Sequence, residues 1–521
     1  MNSRVLKLGT RRSALARAQS AAVARLLQQH HPALAVELVG IETQGDRILD
    51  KPLSTVDGKE FFTAEIDAAL LSGAVDLTVH SYKDLSLERS TRLLLAAVPK
   101  REPPGDIALF APDVRQSLAA GEEIRVGSSS PRRASFVPDF LQRMLPADPM
   151  PARVRLVELR GNVDSRLRRL HEPRGSPRHL DGIVLAFAGL ARLWADSAGQ
   201  QLLRELLTPL PRMLLPLSAC PAAPAQGALA IECRSDDPDT ARLLASIDDS
   251  ATRRAVDAER ALLAQRGGGC HQRFGATQIE LSGLGALLYL RDADESGRPL
   301  PIPMVRWTPE TPLPAPHGPL RAWDGSRADS APAAEPIPEA VARCAERLSS
   351  TRALFVAHRR ALPEELTASV DPAAHVWVPG IETWQALAER GIWVEGCGES
   401  LGFAALAPML TQPSLQLPAL DQWTVLTHAE AAGGWPATAV VATYRHASSS
   451  PVGADPAGPA PDVTHVYWHS SAQFERWRAS VAPGVHHACG SGRTSEHLRH
   501  AAVQNLRVFP QVALWRQWLG L

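Results

Sequence analysis

Asp84 closes the stretch His80-Ser81-Tyr82-Lys83-Asp84, immediately after Val75–Val79, which reads as a short strand. Ligands of open α/β sheets gather at the carboxyl ends of strands, so a carboxylate there can hold a proton or stabilise a cation. The plain alternative is a loop Asp paired with Lys83. A second group, Gly127-Ser128-Ser129-Ser130-Pro131-Arg132-Arg133, sits where the strand Ile124–Val126 gives way to a helix. Small residues at such a junction leave backbone N–H groups and the positive end of a helix free for an anion, and two Arg in the first turn add forked donors. Leu159-Arg160-Gly161-Asn162-Val163, with Arg166 one turn on, repeats the arrangement, as do Arg11 after the first strand and Arg192 after the strand Gly182–Ala186. Four strand ends each followed by Arg suggest one cleft for a polyanion. Gly268-Gly269-Cys270 puts a thiol on an open loop, where it could be a nucleophile or an attachment point, or else a buried structural Cys.

The elements that position these groups alternate. Val5–Leu8 reads as a buried strand, Ser13 to Gln29 has helical spacing, Ala35–Ile41 alternates as a strand, and Phe62–Leu71 reads as a helix. Strands alternating with helices predict a mainly parallel α/β sheet. The same grammar from Pro104 to Pro221 predicts a second α/β domain, after which Gln226–Cys233 returns to the first sheet. Ala251–Gln265 reads as a helix ended by Gly267-Gly268-Gly269. Ile279–Arg291 and Pro301–Trp307 read as strands of a small third domain. Thr308–Pro338, rich in Pro, Ala and Asp, reads as a long loop or linker. A helix at Glu339–Leu348 and a further α/β unit complete the chain.

The composition is that of a soluble globular protein. The 521 residues suggest about three to five domains at roughly 100–200 residues each. Lys plus Arg and Asp plus Glu both number 55, so there is no global basic field for nucleic acid or an anionic membrane. Any anion must be held by local clusters. The six Cys are scattered, with no C-x-x-C pair and no His/Cys spacing that suggests zinc, so no metal is expected. Sparse thiols, no signal peptide and no apolar run long enough to span a bilayer lead to a cytoplasmic expectation.

Taken in order, these segments resemble the porphobilinogen deaminase (hydroxymethylbilane synthase) family from Leu6 to about Trp307. Thr10-Arg11-Arg12-Ser13 with Leu15-Ala16 and Gln19 looks like its opening motif, Thr43-Gln44-Gly45-Asp46 its next loop, and Val79–Asp84 its catalytic signature. Ser128-Ser129 with Arg132-Arg133, Leu159–Asn162, Ala188-Gly189-Leu190, Gln226-Gly227-Ala228, Ile231–Arg234, Ala258–Arg260 and Gly268–Cys270 follow in family order. The resemblance implies two hinged, periplasmic-binding-protein-like α/β domains (1–103 with 225–246, and 104–224) around the active site. A small α+β cofactor-bearing domain (247–349, including the loop 308–338) follows. It implies a dipyrromethane cofactor held by a thioether to Cys270, and porphobilinogen as substrate, added one unit at a time with loss of ammonia until a linear tetrapyrrole is released. Asp84 would donate a proton to the leaving amine, stabilise the azafulvenium cation and take up the ring proton. The cofactor would be bound by Lys83, Ser81, Ser128, Ser129, Arg132, Arg133, Arg160 and Arg192, and substrate by Arg11, Ser13, Lys59, Phe62, Arg166 and Gln226. A monomer is expected. The chain departs from the family at Asp57-Gly58-Lys59-Glu60-Phe61-Phe62, where acids enter a Gly- and Lys-rich loop, at Thr55, at Leu85-Ser86, at Pro221–Ala225 and at His271-Gln272-Arg273.

The last third, 350–521, resembles uroporphyrinogen-III synthase as a shortened, bilobal α/β unit. The likeness rests on Ala353–Glu382, Val440–Arg445, His469–Ala472 and Gly492–Ser495. It would cyclise the linear product, with Tyr444, Ser470 and Thr494 as candidate residues. Two readings compete: a degenerate structural or regulatory C-terminal domain, and a non-catalytic anion-binding protein that needs the cleft Arg residues but neither Asp84 nor Cys270.

Overall fold

The structure is a computed structural model and describes residues 5–43, 63–146, 151–268, 272–300, 304–316, 318–326, 333–437, 439–447 and 458–521. It is a mixed α/β protein with several sheets. Its contacts divide the chain into two compact units. The first is Met1–Gln142 with Pro151–Ile279 and Leu288–Met304, and the second is Arg143–Met150 with Glu280–Leu287 and Val305–Leu521. No helix among the described residues is long and apolar enough to cross a membrane.

Among the described residues the first unit builds two five-stranded sheets from, in chain order, β1 Val5–Arg11, β2 Ala35–Ile41, β3 Leu77–Ser81, β4 Leu93–Ala97, β5 Asp106–Phe110, β6 Glu123–Gly127, β7 Arg153–Val157, β8 Gly182–Ala186, β9 Arg212–Leu214 and β10 Leu229–Arg234. The two sheets have the same plan. One runs β2-β1-β3-β10-β4 and the other β7-β6-β8-β5-β9. In each, three parallel strands are followed by a fourth that runs antiparallel to both its neighbours. Parallel neighbours need a crossover, and helices supply it: Ala14–His30 joins β1 to β2 and Pro131–Met144 joins β6 to β7. The inner strands are apolar because both faces are covered. Leu6, Leu8, Leu77, Val79 and Ile231 share one core with Val23 and Leu27 of the first helix, and every residue of β5 is buried.

The chain passes between the sheets twice, at 98–105 and 215–228, and these segments are tied together. Glu102 N–H donates to the Gly227 carbonyl at 3.1 Å. Gln226 Nε2 donates to the Pro104 carbonyl at 2.6 Å, and Arg101 Nε to the Gln226 carbonyl at 2.7 Å. The approach is so close that a Cβ at Gly227, whose φ is +88°, would lie 2.5 Å from the Glu102 carbonyl oxygen. Behind them stands the helix Ser250–Gln265, capped by Asp249, whose carboxylate accepts from Thr252 N–H at 2.7 Å. Its buried Glu259 takes Arg101 at 2.6 and 2.9 Å and the backbone N–H of Ala225 and Gln278 at 2.6 and 2.7 Å. Four donors on one carboxylate satisfy a charge that would be costly to bury alone. A three-stranded sheet follows, β11 Gly275–Leu281, β12 Gly285–Arg291 and β13 Met304–Thr308, in chain order.

In the second unit the stretch read as a loop or linker, Thr308–Pro338, carries two short strands. Ala322–Trp323 pairs parallel with His465–Trp468, and Ala334–Pro336 pairs antiparallel with Ala439–His446. Both are short, mostly exposed edge strands. An edge strand needs one row of backbone hydrogen bonds and little apolar surface, and it tolerates Pro, so composition hides it. Each extends a mainly parallel sheet. Ala334–Pro336 leads a six-stranded sheet that continues through Ala439–His446, Thr424–His428, Ala353–Val356, His375–Val378 and Val394–Cys397. Ala322–Trp323 leads a four-stranded sheet with His465–Trp468, His486–Gly490 and Leu506–Phe509.

Gly227→Ala should destabilise the first unit by about 1–3 kcal/mol, because the residue must adopt positive φ against a carbonyl. Urea denaturation of the variant beside the wild type checks this.

Candidate active site

Asp84 ends a tight 3-10 turn, Tyr82–Asp84, at the carboxyl end of β3. Its neighbours fix the turn while its own side chain stays exposed. Tyr82 N–H donates to the Ala228 carbonyl at 3.1 Å. Arg260, from the helix Ser250–Gln265, donates to the carbonyls of Tyr82, Leu85 and Ser86 at 3.1, 3.1 and 2.9 Å, and its guanidinium lies 4.4 Å over the Tyr82 ring. Below the turn, His80 is buried against Glu232 at 3.5 Å and Thr78 at 3.1 Å. Burial holds the His80 imidazole below its ordinary pKa, although Glu232 and Asp67 pull the other way. Ser81 Oγ accepts from Gln19 Nε2 at 3.0 Å, which ties the strand end to the first helix. Ser13 caps that helix through Ala16 N–H at 3.3 Å.

Asp106, at the start of β5, is fully buried and gathers the centre of the unit. Arg132 Nη2 reaches its carboxylate at 2.7 Å, and Arg133 does so through Nη2 at 2.7 Å and Nε at 3.1 Å. Arg132 Nη1 also donates to the Pro221 carbonyl at 2.8 Å and Arg133 Nη1 to the Val184 carbonyl at 2.9 Å. Gln226 Nε2 donates to Asp106 at 2.8 Å, while its Oε1 accepts from Lys83 Nζ at 3.2 Å. The sequence casts Arg132 and Arg133 as donors to a bound anion. In the structure both hold Asp106, because a buried carboxylate must be paired. Burial alone would raise the Asp106 pKa, but the two guanidiniums hold it well below the usual carboxylate range.

Other cations are less completely matched. Arg160 makes a long 3.4 Å contact to Glu158, and its Nη2 is buried with no hydrogen-bond partner among the described residues. Gly161 has φ +107°, and a Cβ there would meet Ser165 Oγ at 2.4 Å, which explains glycine beside Arg160. Arg166 donates to the Gly161 carbonyl at 2.7 Å. Burial, then Arg133, pull its pKa down to about 10 against the attraction of Asp84. Burial likewise lowers Lys83, with Asp84 opposing and Arg133 assisting. Buried Arg192 is pulled to about 10 and donates to the Gly227 carbonyl. Ser128 is buried, and Ser129 is half-buried just before the helix Pro131–Met144. Arg11 ends β1, half-buried. Buried cations such as Lys83, Arg166 and Arg192, together with the buried Nη2 of Arg160, gain from an incoming anion, so the residues present fit a polycarboxylate. Lys59, Phe62 and Cys270 lie outside the described residues.

The candidates of the second unit stand on two sheets. Tyr444, on Ala439–His446, is buried among the rings of His358, His428 and His446, and burial pushes its phenol up to about 12. Ser470 caps the helix Ser471–Trp477 by accepting Gln473 N–H at 3.1 Å, and Thr494 lies in the first turn of Arg493–His500, beside the four-stranded sheet.

A family model, "Porphobilinogen deaminase, dipyromethane cofactor binding domain", matches residues 6–242. The porphobilinogen deaminase of Roseiflexus sp. (strain RS-1) is 43% identical over 271 residues, covering 52% of this chain and 80% of the relative. The chain belongs to the porphobilinogen deaminase family. That of Syntrophotalea carbinolica is 42% identical over 271 residues, covering 52% of this chain and 77% of the relative. Among solved structures, YhfZ from Shigella flexneri matches 51% of this chain and 93% of its own at 14% identity and a TM-score of 0.23. The N-terminal half therefore carries porphobilinogen deaminase function, a transferase activity of tetrapyrrole biosynthesis, and its family is the one that binds the dipyrromethane cofactor.

Asp106→Asn should cost roughly 3–5 kcal/mol, since two buried guanidiniums lose their counter-charge. Because the folded pKa lies below the unfolded one, Asp106 contributes fully above about pH 3.9 and loses its contribution as the pH falls below that value. Chemical denaturation from pH 7 to pH 3 should therefore show a gap between wild type and variant that narrows only at the acid end.

Proposed function

We propose that the chain condenses four porphobilinogen molecules head to tail into linear hydroxymethylbilane, releasing ammonia at each addition, and that water then cleaves the finished tetrapyrrole from its primer, with Asp84 as the acid/base. The observation that carries this reading is an exposed carboxylate on a clamped turn, within electrostatic reach of Lys83 and Arg166 and beside a buried cationic cluster. Loss of ammonia needs a proton on the leaving amine and leaves a cation. Asp84 can donate that proton, face the cation with its carboxylate and accept the ring proton afterwards. The dipyrromethane, attached to Cys270, supplies the pyrrole carbon to which the first unit is joined. Arg160, with its unpartnered Nη2, Arg166, Lys83, Arg192 and Arg11 neutralise acetate and propionate groups, helped by Ser13, Ser81, Ser128 and Ser129. Arg132, Arg133 and Gln226 act through Asp106 and position the cluster. Lys59 and Phe62 complete the substrate set. The domains are 1–103 with 225–246, 104–224, 247–349 and 350–521, and the protein works as a cytoplasmic monomer.

A second activity, cyclisation to uroporphyrinogen III, is proposed for 350–521, with Tyr444 assisting loss of water and Ser470 and Thr494 holding carboxylates. Its support is a buried phenol walled by three imidazoles in a two-sheet unit.

Asp84→Ala should lower kcat by about 10²–10⁴-fold while the purified protein keeps its cofactor. An unchanged rate of ammonia release would refute the role given to Asp84. Tyr444→Phe should leave ammonia release unchanged and reduce the fraction of product recovered as the inverted ring isomer. Equal isomer fractions in wild type and variant would remove Tyr444 from the cyclisation.

A further inference from the structure

Two groups of three metal-ligating side chains converge among the described residues. Asp67, His80 and Glu232 form the first. There Arg89 already bridges both carboxylates, at 2.8 and 2.9 Å to Asp67 and at 3.0 and 2.5 Å to Glu232, so a guanidinium supplies the positive charge. The second group is different. His428 ends the strand Thr424–His428, Glu430 sits in the 3-10 turn Ala429–Ala431, and His446 ends the adjacent parallel strand Ala439–His446. A register shift between Thr427 and His428 sets His428 opposite Tyr444, and such irregularities re-aim side chains at strand ends.

The imidazole ring centres of His428 and His446 are 4.7 Å apart. His428 Nδ1 is 2.9 Å from one Glu430 oxygen, and the backbone N–H of His446 donates to the other at 3.1 Å. One donor atom from each of the three lies within 4.8 Å of the others. Zinc bonds of about 2.0–2.1 Å in a tetrahedron put donor atoms about 3.3 Å apart, within reach of small side-chain rotations. The hydrogen bonds to His428 Nδ1 and the His446 backbone N–H orient the Glu430 carboxylate between the strand ends. The Tyr444 ring, 5.6 Å from both imidazoles, walls one side, while Glu430 is exposed on the other.

We propose that His428, Glu430 and His446 bind one divalent transition-metal ion of the zinc class, leaving an open coordination position for water or a carboxylate. Two imidazoles and a carboxylate suit this class better than magnesium or calcium, which prefer oxygen donors alone. The ion pins the ends of two neighbouring strands next to Tyr444. The inference does not depend on the cyclase reading.

The test uses the full chain after chelator treatment. Zinc(II) is titrated by calorimetry, and cobalt(II) by its visible absorption. The expected result is one saturable site per chain, weakened by at least about 10–100-fold in His446→Ala and His428→Ala. Glu430→Gln, which keeps side-chain shape, should weaken it too, with the rate of ammonia release unchanged in all three. Failure of wild type to bind, or a site of unchanged affinity in the His428→Ala/His446→Ala double variant, would overturn the proposal.

Discussion

The buried carboxylate of Asp106 is the constraint on which the deaminase half depends. A carboxylate removed from water is tolerable only when paired, and here two guanidiniums and an amide N–H meet it. Those partners come from the helix after β6 and from a segment that crosses between the sheets. One interaction therefore holds β5, that helix and the crossing segment in register. It also decides the local field. Two guanidiniums on one carboxylate leave one positive charge over, in a region that already holds Lys83, Arg160 and Arg166. Burial, with Arg133 assisting, holds Lys83 and Arg166 below their ordinary pKa values against the pull of Asp84.

The same economy of charge explains the support around Asp84. Glu259 accepts four hydrogen bonds and fixes the helix Ser250–Gln265 against the crossing segments. Arg260 on that helix then clamps the turn that carries Asp84. Asp84, proposed as the acid/base, is left exposed above these mutually satisfied groups. Rigidity under a solvent-facing carboxylate is what repeated proton transfer to successive substrates requires.

Much of this is legible in the sequence. The alternation of apolar strands with helical spacing locates β1, β3, β6 and β8, and the strand-end position of Asp84 follows from it. The order of short motifs points to the family that the relatives show. What the sequence hides is pairing. Nothing in the spacing of Asp106, Arg132 and Arg133 reveals that they share one buried contact, because their partnership is made by the sheet and not by the chain. Arg260 and Glu259 look like surface helix residues until the crossing segments are seen beside them. The edge strands Ala322–Trp323 and Ala334–Pro336 escape for a related reason: they contribute backbone hydrogen bonds and scarcely any apolar surface. His428, Glu430 and His446 lie on neighbouring strands, so their convergence has no short sequence motif.

A deaminase primed through Cys270 carries its dipyrromethane on the purified protein, where the intact mass reveals it. Wild type should be heavier than its sequence by two linked pyrrole units, and Cys270→Ser should lack that increment. Wild type that carries no added mass, and gains none on incubation with porphobilinogen, would contradict this priming.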